Sequence, residues 1–133
     1  MKRAVIGLLA VAMTASPVFA KPSLWSYERI DNGLFDIGVA WGVKENCTTL
    51  KENRLNGVMF SLGLYNFAKA QGYTHDEVKS FLDSDAEKAK LRKRVTIYFN
   101  DQGLNPDTPN ALCEFGKTEI ANGSQVGKLL RKN

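Results

Sequence analysis

Two cysteines, Cys47 and Cys113, and a single histidine, His75, bound the reactive chemistry open to this chain. Cys47 stands in the stretch KENCTTLKE, Lys44 to Glu52. A nucleophilic thiol needs a neighbouring base, and His75, the sole imidazole, falls in the first turn of an expected helix, where exposure explains it. A tetrahedral zinc site needs about four ligands, and neither a Cys-x-x-Cys nor a His-x-x-x-His pair occurs. No metal site follows. Asn46-Cys47-Thr48 has the form of a glycosylation acceptor, but the bacterial-looking leader described below and the need for the cysteine elsewhere argue against it. In an exported chain an even count of two leaves one intramolecular pairing, Cys47 with Cys113. Closing a loop of that length stabilises by about 4 kcal/mol in the chain-entropy model. That is a large share of the roughly 5–15 kcal/mol typical of a whole domain.

Other stretches imitate functional motifs without completing them. ALCEFGKT, Ala111 to Thr118, ends like a phosphate-binding loop, yet Ala111 replaces the first glycine and no strand precedes it. DSDAE, Asp83 to Glu87, spaces its acids like the opening of an EF-hand, but Lys88 and Arg94 occupy the positions that require glycine and glutamate. Helix capping explains those acids. KLRKR, Lys90 to Arg94, is read as a solvated basic face opposite Leu91 and Val95, partly offset by Asp85 and Glu87. Neither a Gly-x-Ser-x-Gly elbow nor a dinucleotide fingerprint occurs. Acid pairs of the glycosidase kind meet in space, so sequence order leaves them open. No catalytic residue and no cofactor is assigned.

The first twenty residues, MKRAVIGLLAVAMTASPVFA, join two positive charges, an apolar run and a small-residue ending, the layout of a secretory leader. Cleavage is expected after Ala20, leaving a single helical domain over 21–133 in the periplasm. The apolar run is far short of the roughly 20 residues that cross a bilayer, so no transmembrane segment is expected after cleavage. The leader holds two of the 18 basic residues and none of the 14 acidic ones, which leaves a charge of +2. Such a balance gives no case for nucleic acid as a partner.

The elements that must position these residues read as an all-α bundle of about five helices, with a buried central helix and one disulfide. Tyr27 to Glu45 carries Ile30, Leu34, Ile37 and Trp41 at helical spacing, while four positions from Asn32 to Gly42 weaken its propensity. Packing must hold it. From Leu50 to Gln71 one side of a helical wheel holds Leu55, Val58, Met59, Leu62 and Tyr65, and the other Phe60, Leu64, Phe67 and Ala68. A helix apolar on two sides is expected to be buried on two sides, which makes this segment the central one. Thr74-x-x-Glu77 and Ser84-x-x-Glu87 are capping boxes opening a third and a fourth helix, and Thr108-Pro109 opens a fifth. Gly72, Gly103 and Gly123 are the stops. No segment shows convincing strand alternation, and the tail SQVGKLLRKN is either a last helical turn or an extended strap.

Cys47, the helix ending AKAQGY, Asp76-Glu77-Val78, Leu112-Cys113, Glu119-Ile120 and GSQVGKLL together resemble a family of short exported alphaproteobacterial proteins of unknown function. The resemblance spans about residues 27 to 130 and implies a two-cysteine helical domain with no activity to transfer. A looser likeness is to the small acid-stress chaperones of the periplasm, from which this chain departs in length, cysteine spacing and charge balance. These features point to a non-catalytic interaction or accessory protein that binds another periplasmic protein through Trp25 and Tyr27 in PSLWSY. The equal alternative for Trp25 is packing over the bundle end. A conditional chaperone, and behind it a small hydrolase, are the alternative functions, and the oligomeric state is left open.

Overall fold

The computed structural model describes residues 20–105 and 107–133. The leader expected over 1–20 lies, but for Ala20, outside the described residues. A 3-10 turn at Leu24–Ser26 leads into α1 (Glu28–Asn46), followed by β1 (Leu50–Glu52), α2 (Arg54–Ala70), α3 (His75–Asp83), α4 (Asp85–Asp101), α5 (Pro109–Asn122), α6 (Gln125–Lys128) and β2 (Leu130–Lys132). The class is all-α, as expected, with a small two-stranded addition.

Local cap chemistry sets most boundaries. At Thr74 the capping box is complete: the Glu77 amide donates to Thr74 Oγ1 at 3.2 Å, and the Thr74 amide donates to Glu77 Oε2 at 2.7 Å. The second box forms by half. The Glu87 amide donates to Ser84 Oγ at 3.3 Å, but the Glu87 carboxylate turns away to accept a hydrogen bond from Trp25 Nε1. Gly123 ends α5 with φ +63°, a left-handed conformation that glycine adopts without steric penalty.

The centre of the bundle is α1. It packs against α2, α4, α5, α6 and β1. The expectation that Leu50–Gln71 is the central helix buried on two sides is therefore corrected. Leu50–Glu52 is strand, and only Leu64 and Ala68 of α2 are buried. The physical reason lies in the glycines that lower the helix propensity of α1. A Cβ at Gly33 would come within 2.6 Å of Leu64 on α2, and one at Gly42 within 2.6 Å of Phe99 on α4. Without those side chains the neighbouring helices close onto α1, which takes the middle position.

Two apolar clusters result, one at each end of α1. Ile30 joins Leu24, Leu64, Ala68, Tyr73 and Val78 at the α2–α3 end. Val39, Ala40 and Val43 join Val95, Phe99, Leu112, Val126 and Leu130 at the other. Val43 and Leu112 are wholly buried, so van der Waals contact is complete there.

Cys47, the C-cap of α1, is bonded to Cys113 in α5 with a Cα separation of 5.1 Å. The first and fifth helices are neighbours, as that pairing requires. The tail resolves into both of its alternatives, a short helix and a strap. Strand β2 pairs antiparallel with β1, Leu50 opposite Lys132 and Glu52 opposite Leu130. Three-residue strands carry too few side chains to show alternation, which is why the pattern was silent.

Candidate functional site

Helix α2 is anchored at its start by Asn53, whose side chain caps the Asn56 amide while its own amide donates to the Leu129 carbonyl at 2.8 Å. Asn56 Nδ2 adds a bond to the Lys128 carbonyl at 2.9 Å. These contacts fix the helix on the tail strap and turn its second apolar side outward. Leu55, Val58, Met59 and Leu62 are 72, 65, 61 and 47% exposed. Trp41 of α1 and Leu82 of α3, at 59 and 50%, flank them.

A groove of about 620 Å³ runs between these helices, with Trp41, Val58, Leu62, Tyr65 and Leu82 on its walls and Gly57 and Ser61 beside them. A smaller cavity of about 250 Å³ continues from it toward Leu24 and Phe81, sharing Ile37, Ser61, Tyr65 and Leu82. Volumes of a few hundred Å³ and apolar walls are typical of binding sites. The rim is charged in pairs. Lys44 Nζ lies 3.0 Å from Glu45 and 4.5 Å from the centre of the Trp41 ring, and Arg54 Nε lies 3.4 Å from Glu52.

The residues singled out in the N-terminal segment are engaged with the protein itself. Trp25 is half-buried, meets Phe81 edge-on at 5.4 Å, and has Lys90 and Arg94 over its ring at 5.2 and 5.4 Å. Tyr27 meets Phe67 and Tyr73 edge-on at 5.9 and 6.0 Å. Part of the KLRKR face is accordingly not solvated. Arg94 is bidentate to Asp31 of α1, because its guanidinium reaches between the Trp25 and Phe35 rings. Arg92 and Lys93 do face solvent.

The reactive groups do not converge. His75 is exposed, its Nδ1 3.2 Å from the Tyr65 hydroxyl, and both sulfurs are in the disulfide. Among the described residues no three His, Cys, Asp or Glu side chains gather as metal ligands do. One carboxyl stands out. Asp36 is held above the ordinary aspartate range by partial burial and then by the negative charge of Glu119. Asp36 lines a second groove, on the other flank of α2, with Arg29, Asn32 and Gln125. Glu119 is occupied by the Ser124 hydroxyl at the turn into α6. Glu119 is thus the carboxylate that acts on Asp36, and no cysteine or histidine lines that groove among the described residues.

The exposed side of α2 was present in the sequence as the second apolar side of a helical wheel. What sequence reasoning missed is that none of the described residues covers it. Fold and surface together define a disulfide-braced helical bundle with an open apolar groove. Residues 22–131 match the family of unknown function DUF5333, and the chain belongs to that family. No curated protein and no solved structure matches it.

Proposed function

We propose that this protein is a non-catalytic accessory module that acts outside the cytoplasm and binds a protein through the outward face of α2. One observation carries the proposal: exposed Val58 and Leu62 share a groove with exposed Trp41 and Leu82, and exposed Leu55 and Met59 extend the stripe along α2. Large apolar side chains scattered singly need no explanation, but a contiguous patch rimmed by charge is the mark of an interaction surface. The non-catalytic part of the reading draws on His75 being exposed and on both cysteine sulfurs being spent in the disulfide.

Two observations support action outside the cytoplasm. The disulfide suits an oxidising compartment, and residues 1–20 have the layout of a leader cut after Ala20. No helix among the described residues is long and apolar enough to cross a membrane.

A photo-crosslinking side chain placed at Val58 during native expression tests the surface, with exposed Thr96 on α4 as control. The expected result is a discrete protein adduct from Val58 that Leu62→Lys abolishes, and none from Thr96. Equal labelling at both positions, or none at Val58, would refute the proposal.

A further inference from the structure

We infer that the cavity beneath the groove is a binding site for a single saturated alkyl chain, which passes from the open groove into the core between α1, α2 and α3 and leaves its polar head at the mouth. This goes beyond the protein-binding reading of α2, since it concerns the interior and needs no protein partner.

The inner cavity of about 250 Å³ lies within the apolar cluster at the α2–α3 end of α1, where Leu24, Ile30, Leu64, Ala68 and Val78, all buried, form its wall. Protein interiors pack at the density of organic crystals, and voids larger than a water molecule are few. A cavity of this size within one cluster is well beyond what ordinary packing leaves. It is also reachable. Ile37, Ser61, Tyr65 and Leu82 belong both to its wall and to that of the groove of about 620 Å³, so the two form one passage with the small Ser61 side chain at the junction.

The wall selects the chemistry of the guest. Among the side chains that line the inner cavity only Ser61 and Tyr65 carry a hydroxyl, and that of Tyr65 is 3.2 Å from His75 Nδ1. A peptide backbone or a sugar placed there gives up hydrogen bonds to water at every unit, with almost nothing to replace them, and each unpaired polar group is costly. A methylene chain gives up none and gains from leaving water. The room fits as well. An apolar cavity of about 150 Å³ takes a benzene, so 250 Å³ takes on the order of ten carbons, and the rest of a longer chain lies in the groove. The rim sets no preference for the head, because Lys44 and Arg54 each have an acid beside them, Glu45 and Glu52.

The experiment is nuclear magnetic resonance of the methyl-labelled protein titrated with straight-chain alkanoates, and with alkyltrimethylammonium ions of the same lengths, each below its micelle concentration. Saturable binding is expected, with shifts of the Ala68 and Val78 methyls as well as those of Val58. Affinity should rise about fourfold per methylene up to about ten carbons and more slowly beyond, and the two heads should agree within about threefold. Ala68→Leu fills the cavity from within, and Ser61→Phe closes the passage from an exposed position. Each should weaken binding of the ten-carbon chain by more than about tenfold, with circular dichroism showing that the variants are folded. Absence of saturable binding at every length overturns the inference. So do shifts confined to Val58 and Leu62, or folded variants that both bind as the wild type does, since a chain lying on the surface gives those results. Phosphatidylcholine vesicles separate a free chain from one held in a bilayer: the protein is expected to stay in solution, and sedimentation with vesicles without binding of the soluble chains overturns the inference.

Discussion

Arg94 on α4 and Asp31 on α1, 63 residues apart, form a two-pronged ion pair, with Nη1 to Oδ1 at 2.7 Å and Nη2 to Oδ2 at 3.0 Å. Each side chain is about one third exposed, and the guanidinium lies 5.4 Å from the centres of both the Trp25 and the Phe35 rings. The pair joins α1, α4 and the N-terminal turn at one point.

Lysine at position 94 keeps the charge but loses the planar fork and the stacking. Arg94→Lys is expected to cost about 1 kcal/mol, lowering the melting temperature by roughly 4–8 °C. Thermal denaturation measures it. A variant that melts with the wild type would show that this pair is worth no more than an ordinary surface contact.

Reduction of Cys47–Cys113 removes a constraint worth about 4 kcal/mol on the unfolded chain. The melting temperature should fall by more than about 15 °C. The far-ultraviolet helical signal should survive at room temperature, because both apolar clusters rest mainly on residues other than the cysteines. Loss of that signal on reduction would show that the bond is a condition of folding.

Alanine at two glycines should act with opposite sign. In Gly42→Ala the new methyl meets the Phe99 ring, and overpacking of that kind costs about 1–3 kcal/mol, more than the about 1 kcal/mol of helix propensity gained. In Gly63→Ala the nearest atom is the end of Arg29, 4.0 Å away, and the variant should gain up to about 1 kcal/mol. Urea titration reads both, and destabilisation by Gly63→Ala would contradict the placement of α2.

Asp36 and Glu77 should give opposite pH signatures. The folded state raises the affinity of Asp36 for its proton, through burial and then Glu119, so the charged form opposes folding at neutral pH. Asp36→Asn should therefore raise the melting temperature at pH 7, with the gain fading as pH falls toward the ordinary value of 3.8. Glu77 is held low by hydrogen bonds from Lys21 and then the Thr74 amide, so it stabilises above its ordinary value of 4.5 and stops doing so as pH falls through its lowered value. Glu77→Gln should lower the melting temperature at pH 7 and make no difference near pH 2. Parallel pH curves for the two variants would show that one of the shifts has the wrong sign.

Much of the framework was legible because it rests on neighbours in the chain. Thr74 finds Glu77 three residues on, Ser84 finds the Glu87 amide, and Gly123 ends its helix by its own backbone freedom. The cysteine pairing was legible for a different reason, since two thiols with no other chemistry open to them have only each other.

Relations between distant residues were decided by the tertiary structure. The pairing of β1 with β2 joins three-residue segments that lie far apart in the chain, and no local pattern announces it. Glu87 has a local partner at Thr74-like spacing, yet its carboxylate goes to Trp25, because the fold brings an indole donor within reach. The same holds for α2. Its sequence declares two apolar sides, a property of the helix alone. Which side the chain would cover depended on where α1 could be approached most closely, and that was set by the missing side chains at Gly33 and Gly42, against which Leu64 and Phe99 pack. Helix amphipathicity is a local quantity, whereas burial belongs to the whole assembly of surfaces, so the outward stripe from Leu55 to Leu62 became visible only once the helices were in place.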